Sequence, residues 1–318
     1  MTIEDIFLQT TENKEPILLY QPIQYILMQS GKRLRPRLVL LAAELFNGDK
    51  EKALPVAAAF EMLHNFTLIH DDIMDNAPIR RGKETVYKKW NSNIAILSGD
   101  ALATMALQQL LTIDIDNDRR TEIISLFAQT SLRVCEGQQY DLNFETSENV
   151  LIDDYFTMIR LKTAVMLAGC LKAGAIFAGA DTQAQDSLYE FGIHLGLAFQ
   201  LKDDLLDIYA EQEIFGKMKG LDIKDNKKTY LYLRALQDAS PEDRIALQQL
   251  FTAPNVIFEE KLEKTMALYE KLFIKEKTEE VIATLIEKSV SILQKIEANN
   301  EKKSELILHA KQLINRDK

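Results

Sequence analysis

Apolar residues recur at three- and four-residue intervals along most of the chain, the spacing that places them on one face of an α-helix. Glycine and proline interrupt this pattern rarely, with 12 and 7 occurrences in 318 residues, and alternating β-branched runs are scarce. We therefore predict an all-α protein without a sheet. The predicted helices cover residues 17–29, 36–46, 55–75, 92–113, 119–143, 151–178, 182–210, 227–238, 241–251, 254–273, 275–298 and 300–315.

The length of the chain allows either two average domains or one large helical domain. Hydrophobic residues make up 47%, enough for a substantial core, and no low-complexity segment or long linker divides the sequence. We predict a single domain over residues 1–318. The net charge of −10 argues against a nucleic-acid partner, because there is no broad basic surface to bind phosphates.

Membrane insertion and export are not expected. The N-terminus is acidic and lacks the apolar stretch of a signal peptide. The most apolar segment, residues 164–180, is interrupted by Lys172 and is too short for a membrane span. We expect a cytoplasmic protein without a transmembrane segment.

Three aspartates end the predicted helix 55–75: Asp71, Asp72 and Asp75. Each residue of a helix advances by about 100°, so Asp71 and Asp75 share one face and Asp72 flanks it. Such carboxylates repel one another unless cations lie between them, and Mg²⁺ prefers a few carboxylates with waters and substrate phosphates. Arg80 and Arg81 follow, with guanidinium groups suited to the same phosphates. Taken alone, the motif also fits a solvated acidic helix end.

The same spacing returns in the predicted helix 182–210 as Asp203, Asp204 and Asp207. These aspartates lie within an apolar segment, where unpaired charges would be costly. Two such motifs, each at the end of an apolar helix, favour a shared metal–diphosphate site.

Further motifs occur in order with these two, and together they resemble the trans-isoprenyl diphosphate synthases, the polyprenyl synthetase family, over residues 20 to 235. The similarity is greatest to the short-chain geranylgeranyl and farnesyl diphosphate synthases. It implies the isoprenoid synthase fold, a helical bundle around a central cavity in which the two aspartate motifs face each other. The matching segments are Gly31-Lys-Arg-Leu-Arg-Pro36, Asp71-Asp-Ile-Met-Asp75 with Arg80-Arg-Gly82, Lys162-Thr163, Phe199-Gln-Leu-Lys-Asp-Asp-Leu-Leu-Asp207, Gly216-Lys217 and Asp225-Asn-Lys-Lys228.

The resemblance implies that isopentenyl diphosphate is condensed with an allylic diphosphate: dimethylallyl, geranyl or farnesyl diphosphate. It also implies a homodimer and three Mg²⁺ ions, for which Mn²⁺ can substitute. The principal metal ligands would be Asp71, Asp75 and Asp203, assisted by Asp72, Asp204 and Asp207.

Basic residues of the motifs would bind the two diphosphates. By the resemblance, the allylic diphosphate would contact Arg80, Lys162, Lys217 and Lys227, and isopentenyl diphosphate would contact Lys32, Arg35, Arg81 and His64. The oxygens of Thr163 and Gln200 would stabilise the allylic cation. His64 also fits a hydrogen-bonded core histidine, and Thr163 and Gln200 also fit ordinary hydrogen bonding within helices.

Product length should be set on the helix that carries the first motif. Thr67, four residues before Asp71, leaves the path of the growing tail open, whereas Phe66 points further aside and blocks it in part. Phe60, eleven residues before Asp71, lies about 16 Å down the helix at about 1.5 Å per residue. That depth suits about four isoprene units of about 4–5 Å each, as estimated from bond lengths. We therefore predict the C20 product geranylgeranyl diphosphate, with C15 farnesyl diphosphate as the alternative if Phe66 leans fully into the path. Phe66 also fits plain core packing, with the floor of the path set by another helix.

Other functions fit the sequence less well. A terpene cyclase or a head-to-head synthase would not need the second basic pocket that Gly31–Pro36 and Arg80-Arg81 supply. A non-catalytic partner subunit commonly lacks motif aspartates, whereas this chain has all six. A longer-chain polyprenyl synthase would need a deeper path than Phe60 allows.

Overall fold

The computed structural model describes residues 1–147, 149–210, 219–252 and 256–315. In these residues the chain is almost entirely helical. The helices are α1 (Ile3–Thr11), α2 (Ile17–Leu27), α3 (Leu34–Leu45), α4 (Leu54–Met74), α5 (Val86–Lys89), α6 (Ser92–Leu111), α7 (Asn117–Thr146), α8 (Ile152–Ile159), α9 (Val165–Ala178), α10 (Thr182–Tyr209), α11 (Leu221–Lys224), α12 (Tyr230–Asp238), α13 (Pro241–Thr252), α14 (Phe258–Lys271), α15 (Ile274–Lys295) and α16 (Asn300–Ile314).

The prediction of an all-α fold is confirmed, with three local differences. Helices α1, α5 and α11 were not predicted: α5 and α11 have only four residues each and show no apolar period, and the N-terminal α1 was overlooked although Thr2 and Asp5 form a capping box there. The predicted helix 151–178 is divided by a π-helix at Arg160–Ala164. A small hairpin of β1 (Ile79–Arg80) and β2 (Lys83–Glu84) replaces part of a predicted loop.

The hairpin owes its shape to the two residues between its antiparallel strands. Arg81 and Gly82 have φ angles of 52° and 74°, and positive φ at both central residues is the pattern of the tight turns that join two-stranded hairpins. Glycine adopts this backbone region without strain. The turn fixes where Arg80 and Arg81 leave the backbone.

Two compact units can be distinguished, and the first comprises residues 1–131, 166–189 and 296–303. Its centre is α4, which contacts α3 and α6. The first half of α4 is buried on nearly all sides, including the small residues at 57–59 that allow close helix approach.

The second unit comprises residues 132–165, 190–295 and 304–318. Within it, α12 contacts α8 and α15, and α11 contacts α14. The expectation of a single domain stays a prediction.

The only tryptophan lies beside the hairpin, in the first unit. The Trp90 ring meets Tyr25 edge-on at 5.3 Å between centroids, and the Lys89 ammonium lies 5.2 Å from the Trp90 ring. The Tyr25 hydroxyl donates to the Glu84 carbonyl of β2 at 2.8 Å. Tyr25 therefore connects the hairpin to the tryptophan.

Two helical stretches of the described residues are long and apolar enough to cross a membrane by length and composition, Ser92–Leu111 and Ile152–Ala178. In the second, 72% of the apolar window is buried inside the protein, as in the core helix of a soluble protein. In the first, only 33% is buried.

Candidate active site

The first aspartate motif lies at the C-terminal end of α4. The backbone N–H of Asp75 donates to the carbonyl of Asp71 at 2.8 Å, so these two residues are one helical turn apart. Asp71 is half-buried and Asp75 is exposed. Two carboxylates at this spacing, one of them open to solvent, fit the donor set of a Mg²⁺ ion that also binds water and phosphate.

Asp72 has a different environment, because its side chain is buried and faces Arg80. The Arg80 Nε donates to Asp72 Oδ1 at 2.7 Å, while Oδ2 is buried without a hydrogen-bond partner among the described residues. Burial raises the pKa of the Asp72 carboxyl, and the charge of Arg80 opposes that shift. The carboxylate therefore orients the guanidinium that the sequence assigns to the allylic diphosphate.

A basic cluster surrounds the middle of α4 in the same unit. We define it as Arg33, Arg35, Arg80 and Arg81, grouped around His64. Burial, then the positive charges of these four arginines, lowers the pKa of His64 well below its usual value of 6.5. His64 is therefore neutral near pH 7, and the charge available to an anion comes from the guanidinium groups.

Glu61 holds the basic cluster together, and no sequence motif marks it apart from its place three residues before His64. Its Oε1 accepts from Arg33 Nη1 at 2.9 Å, and Arg33 also donates to the Leu27 carbonyl at 2.5 Å. Burial lowers the pKa of Arg35, and the negative charge of Glu61 opposes this. One buried carboxylate thus supports several guanidinium groups.

The Gly31–Pro36 motif lies beside this cluster. Gly31 is so close to Arg81 that a Cβ atom on it would be 3.1 Å from Arg81 Nη1. Arg35 is half-buried, and its Nε has no hydrogen-bond partner among the described side chains and backbone groups. Lys32 is exposed. The structure therefore brings Arg35, Arg81 and His64 together, the residues that the resemblance assigns to isopentenyl diphosphate, and Arg80, which it assigns to the allylic diphosphate, lies near the same histidine.

The second motif, in the other unit, forms a chain of hydrogen bonds. The Tyr155 hydroxyl donates to Asp204 Oδ2 at 2.5 Å, and Gln200 Nε2 donates to Asp204 Oδ1 at 3.0 Å. Thr163 Oγ1 in turn donates to Gln200 Oε1 at 2.9 Å. Burial, then the charge of Asp222, raises the pKa of the Asp204 carboxyl. Thr163 and Gln200, predicted to act together, are therefore joined directly.

Asp207 supports the loop that follows the motif. Its two carboxylate oxygens accept the backbone N–H groups of Leu221 and Asp222 at 3.2 and 3.0 Å. Its carbonyl accepts the N–H of Gly220 at 2.8 Å. Asp207 thus caps the first turn of α11, and the half-buried Asp203 completes the motif.

Lys162 lies in the π-helix between α8 and α9, and α7 fixes it from the side. Its Nζ donates to Asp141 at 2.5 Å. One turn before Asp141, Gly137 contacts the π-helix so closely that a Cβ atom there would lie 2.2 Å from the Lys162 backbone nitrogen. Glycine at position 137 is therefore required by the close approach of the two backbones. Isolated π-helical turns are frequent at functional sites.

A cavity in the second unit gathers several of these residues. It is lined by Lys162, Gln200, Asp204, Asp222, Lys227 and Tyr155, with others. The sequence predicted Lys162, Gln200, Asp204 and Lys227 for this site. It missed Asp141, Tyr155 and Asp222, because none of them belongs to a spaced motif. Lys217 lies outside the described residues.

No three His, Cys, Asp or Glu side chains of the described residues are grouped so that they could hold a metal ion together. The residues that suit Mg²⁺ are instead the paired carboxylates of α4, because one or two carboxylates, together with waters and substrate phosphates, usually hold this ion.

The three residues proposed to set product length differ in accessibility. Phe60 has no exposed surface, and its ring meets Phe127 edge-on at 5.5 Å. Phe66 is half-buried and meets the His70 ring edge-on at 4.8 Å. The Thr67 hydroxyl donates back to the His64 carbonyl at 2.8 Å. Only Phe66 and Thr67 present accessible surface.

Comparisons with known proteins agree on the family. The pattern of the polyprenyl synthetase family matches residues 16–272. A geranylgeranyl diphosphate synthase of Methanosarcina mazei is 39% identical over 70% of this chain and 68% of its own. A crystal structure of a geranylgeranyl pyrophosphate synthase is 40% identical, with a TM-score of 0.92 over 99% of this chain and 98% of that one.

A third comparison concerns a relative with bound ligands. The geranylgeranyl pyrophosphate synthase of Corynebacterium glutamicum, crystallised with isoprenyl diphosphate and magnesium, is 26% identical, with a TM-score of 0.87 over 99% of this chain and 97% of that one. These likenesses confirm the expected isoprenoid synthase fold. Since the family pattern covers most of the sequence, the chain belongs to the polyprenyl synthetase family.

Proposed function

We propose that this protein is a short-chain trans-prenyltransferase that condenses isopentenyl diphosphate with an allylic diphosphate and releases geranylgeranyl diphosphate. The observation that carries the proposal is the group of arginines around His64 in the first unit, beside the first aspartate motif. Arg80 is held by Asp72 at the end of α4 and Arg33 is held by Glu61, while Arg35 and Arg81 complete the group. Several fixed guanidinium groups next to paired carboxylates suit diphosphate substrates that bind with Mg²⁺.

The reaction begins when the bond between C1 and oxygen of the allylic diphosphate breaks, and the electron pair leaves with the diphosphate. The double bond of isopentenyl diphosphate attacks the resulting cation and forms the new C–C bond. The cation left on the isopentenyl unit then loses a proton to the released diphosphate, and the electron pair of that C–H bond forms the new double bond. Asp71 and Asp75 of the first motif would hold Mg²⁺, which would supply positive charge that stabilises the leaving diphosphate, and we propose that Asp203 of the second motif also binds metal. The magnesium in the Corynebacterium relative supports a Mg²⁺ requirement. We further propose three such ions, with Mn²⁺ able to replace them.

The protein's own groups bind and orient the substrates. Arg80 and Lys162 are held by carboxylates, Asp72 and Asp141, so each cation has a fixed position before the diphosphate arrives. The Thr163 and Gln200 oxygens would face the developing cation without forming a covalent bond to it. Preformed positions of this kind reduce the cost of ordering side chains during the reaction.

The proposal is tested with purified protein, isopentenyl diphosphate and each of three starters: dimethylallyl, geranyl and farnesyl diphosphate. We expect C20 as the main product by mass spectrometry. Arg35→Ala should raise KM for isopentenyl diphosphate by about tenfold or more, because a charge-assisted hydrogen bond to that substrate is lost. The KM for the allylic substrate should change little.

A matched control is Arg37→Ala, which removes an exposed arginine from the same helix. It should leave both KM values near those of the unmodified protein. If Arg35→Ala changed only KM for the allylic substrate, the assignment of the two pockets would be wrong. Absence of condensation with all three starters would contradict the proposed activity.

We also propose that the protein works in the cytoplasm as a homodimer. An exposed apolar stripe on α6 supports this assembly, since Ile96, Leu97, Leu107 and Leu111 are 43, 60, 39 and 58% exposed and lie on one side of the helix.

Light scattering should give a mass about twice the 36.3 kDa of one chain. Leu97→Glu should yield monomer, because it places a charge in this stripe. A monomeric unmodified protein at micromolar concentration would rule out this assembly.

A further inference from the structure

The loop segment, residues 219–229, includes α11, leads into α12 and carries Lys227. Its first half is fixed by Asp207, which caps α11 through the N–H groups of Leu221 and Asp222. Its second half turns at Asn226, whose φ of 57° lies in the left-handed region. The Lys227 N–H then donates to the Asp222 carbonyl at 2.8 Å. Lys227 therefore depends on two anchored turns for its position.

Lys261 of α14 fixes the second turn. Its Nζ donates to the carbonyl of Ile223, near the end of α11, and to Asn226 Oδ1 at 2.5 Å. The same ammonium lies 4.5 Å from the centroid of the Phe251 ring. A lysine ammonium has three N–H donors, so two carbonyl oxygens and one aromatic face account for all of them.

The side chain of Lys261 is unusual in being both charged and buried. Lys261 is 5% exposed, and no carboxylate of the described residues forms an ion pair with it. Burial of an ammonium is costly, so lysines are rarely found in such places. Burial lowers the pKa of Lys261, and the negative charge of Asp225 opposes that shift. The neighbouring Lys264, by contrast, is exposed and pairs with Glu260 one turn away.

We propose that Lys261 is a positioning residue for diphosphate binding, which holds Lys227 at the second motif by bonding the Ile223 carbonyl and the Asn226 side chain. The inference rests on the proposed function of Lys227 as a ligand of the allylic diphosphate. It assigns a role to the chain beyond residue 238, in which the sequence motifs mark no functional residue. Lys261 acts through the loop rather than by touching substrate.

The first test compares Lys261→Met with Lys227→Ala. Methionine keeps the length of the lysine stem but removes every donor, so the Ile223 carbonyl and the Asn226 amide lose their partner. Both variants should raise KM for the allylic diphosphate by about tenfold, the effect of one charge-assisted hydrogen bond. The KM for isopentenyl diphosphate should not move in either. Lys264→Met is the matched control and should leave both values unchanged.

The double variant Lys261→Met/Lys227→Ala separates positioning from a general structural role. If Lys261 acts through Lys227, the double variant should show no larger KM for the allylic diphosphate than Lys227→Ala alone. Additive effects would overturn the inference. So would a lower kcat with both KM values unchanged, because that result reports only a smaller fraction of folded enzyme.

A third variant, Asn226→Gly, keeps the inference testable even if Lys261→Met does not fold. Glycine adopts the left-handed backbone of this turn and removes only the side-chain acceptor. It should raise KM for the allylic diphosphate as Lys261→Met does, and an unchanged KM would overturn the inference. If Lys227→Ala itself leaves the allylic KM unchanged, the proposed ligand role of Lys227 fails instead.

Discussion

Replacement of Asp71 or Asp203 by alanine is expected to lower kcat by about 10²–10³-fold, the loss seen when a group that stabilises charge in the transition state is removed. Both residues are half-buried members of the aspartate motifs. A chelator should abolish activity in the unmodified protein, and added Mg²⁺ should restore it. Steady-state kinetics with the two substrates measures these effects.

The control for these variants is Asp114→Ala, whose side chain is 88% exposed and lies outside both motifs. It should retain full activity. Thermal unfolding should show that Asp71→Ala and Asp203→Ala remain folded, because removal of one of several repelling carboxylates need not destabilise the protein. Full turnover after exhaustive metal removal would contradict a metal-dependent mechanism.

Thr67→Phe is expected to change the main product from C20 to C15. Thr67 lies one turn before Asp71 on α4, and a phenylalanine ring there would occupy the path of the growing tail beside the half-buried Phe66. Phe66→Ala should have the opposite effect and lengthen the product, since it removes a ring from the same path. Mass spectrometry of the products after complete reaction measures both shifts.

The third variant on this helix, Phe60→Ala, is also expected to lengthen the product, but its effect on stability differs. Phe60 is fully buried against Phe127, so truncation leaves a cavity and should cost about 3–5 kcal/mol of unfolding free energy. Thr121→Phe, at an exposed position of α7, is the control for an added ring. An unmodified product of C30 or longer, or no change of length in all three variants, would refute this account of chain length.

The recurrence of apolar residues at three- and four-residue intervals predicted the long helices, because these residues mark the side of a helix that is buried. It could not predict the π-helix at Arg160–Ala164, which depends on the close approach of α7 at Gly137. The hairpin was missed for a different reason, since two-residue strands show no alternation of apolar and polar residues. A contact between distant segments determines the π-helix, whereas the local turn at Arg81-Gly82 determines the hairpin.

The motifs identified most of the charged residues of the site but not their partners. Arg80 bonds Asp72, eight residues away, and Lys162 bonds Asp141, 21 residues away. Neither pair has a spacing that a helix or strand would bring together. Glu61 and Lys261 were missed because a single charge in an amphipathic helix resembles an ordinary surface residue, whereas both are buried.

The contact between Tyr25 and Trp90 has a spectroscopic consequence. The chain has one tryptophan, so the emission excited selectively from tryptophan comes from a single place beside the hairpin that carries Arg80. The emission of the indole depends on its neighbours, which are the Tyr25 ring and the Lys89 ammonium. Tyr25 is in turn hydrogen-bonded to β2. Any rearrangement of the hairpin when a diphosphate binds its arginines would therefore alter the tryptophan emission. Titration of the unlabelled protein with a diphosphate, followed by this emission, would report on the first unit alone.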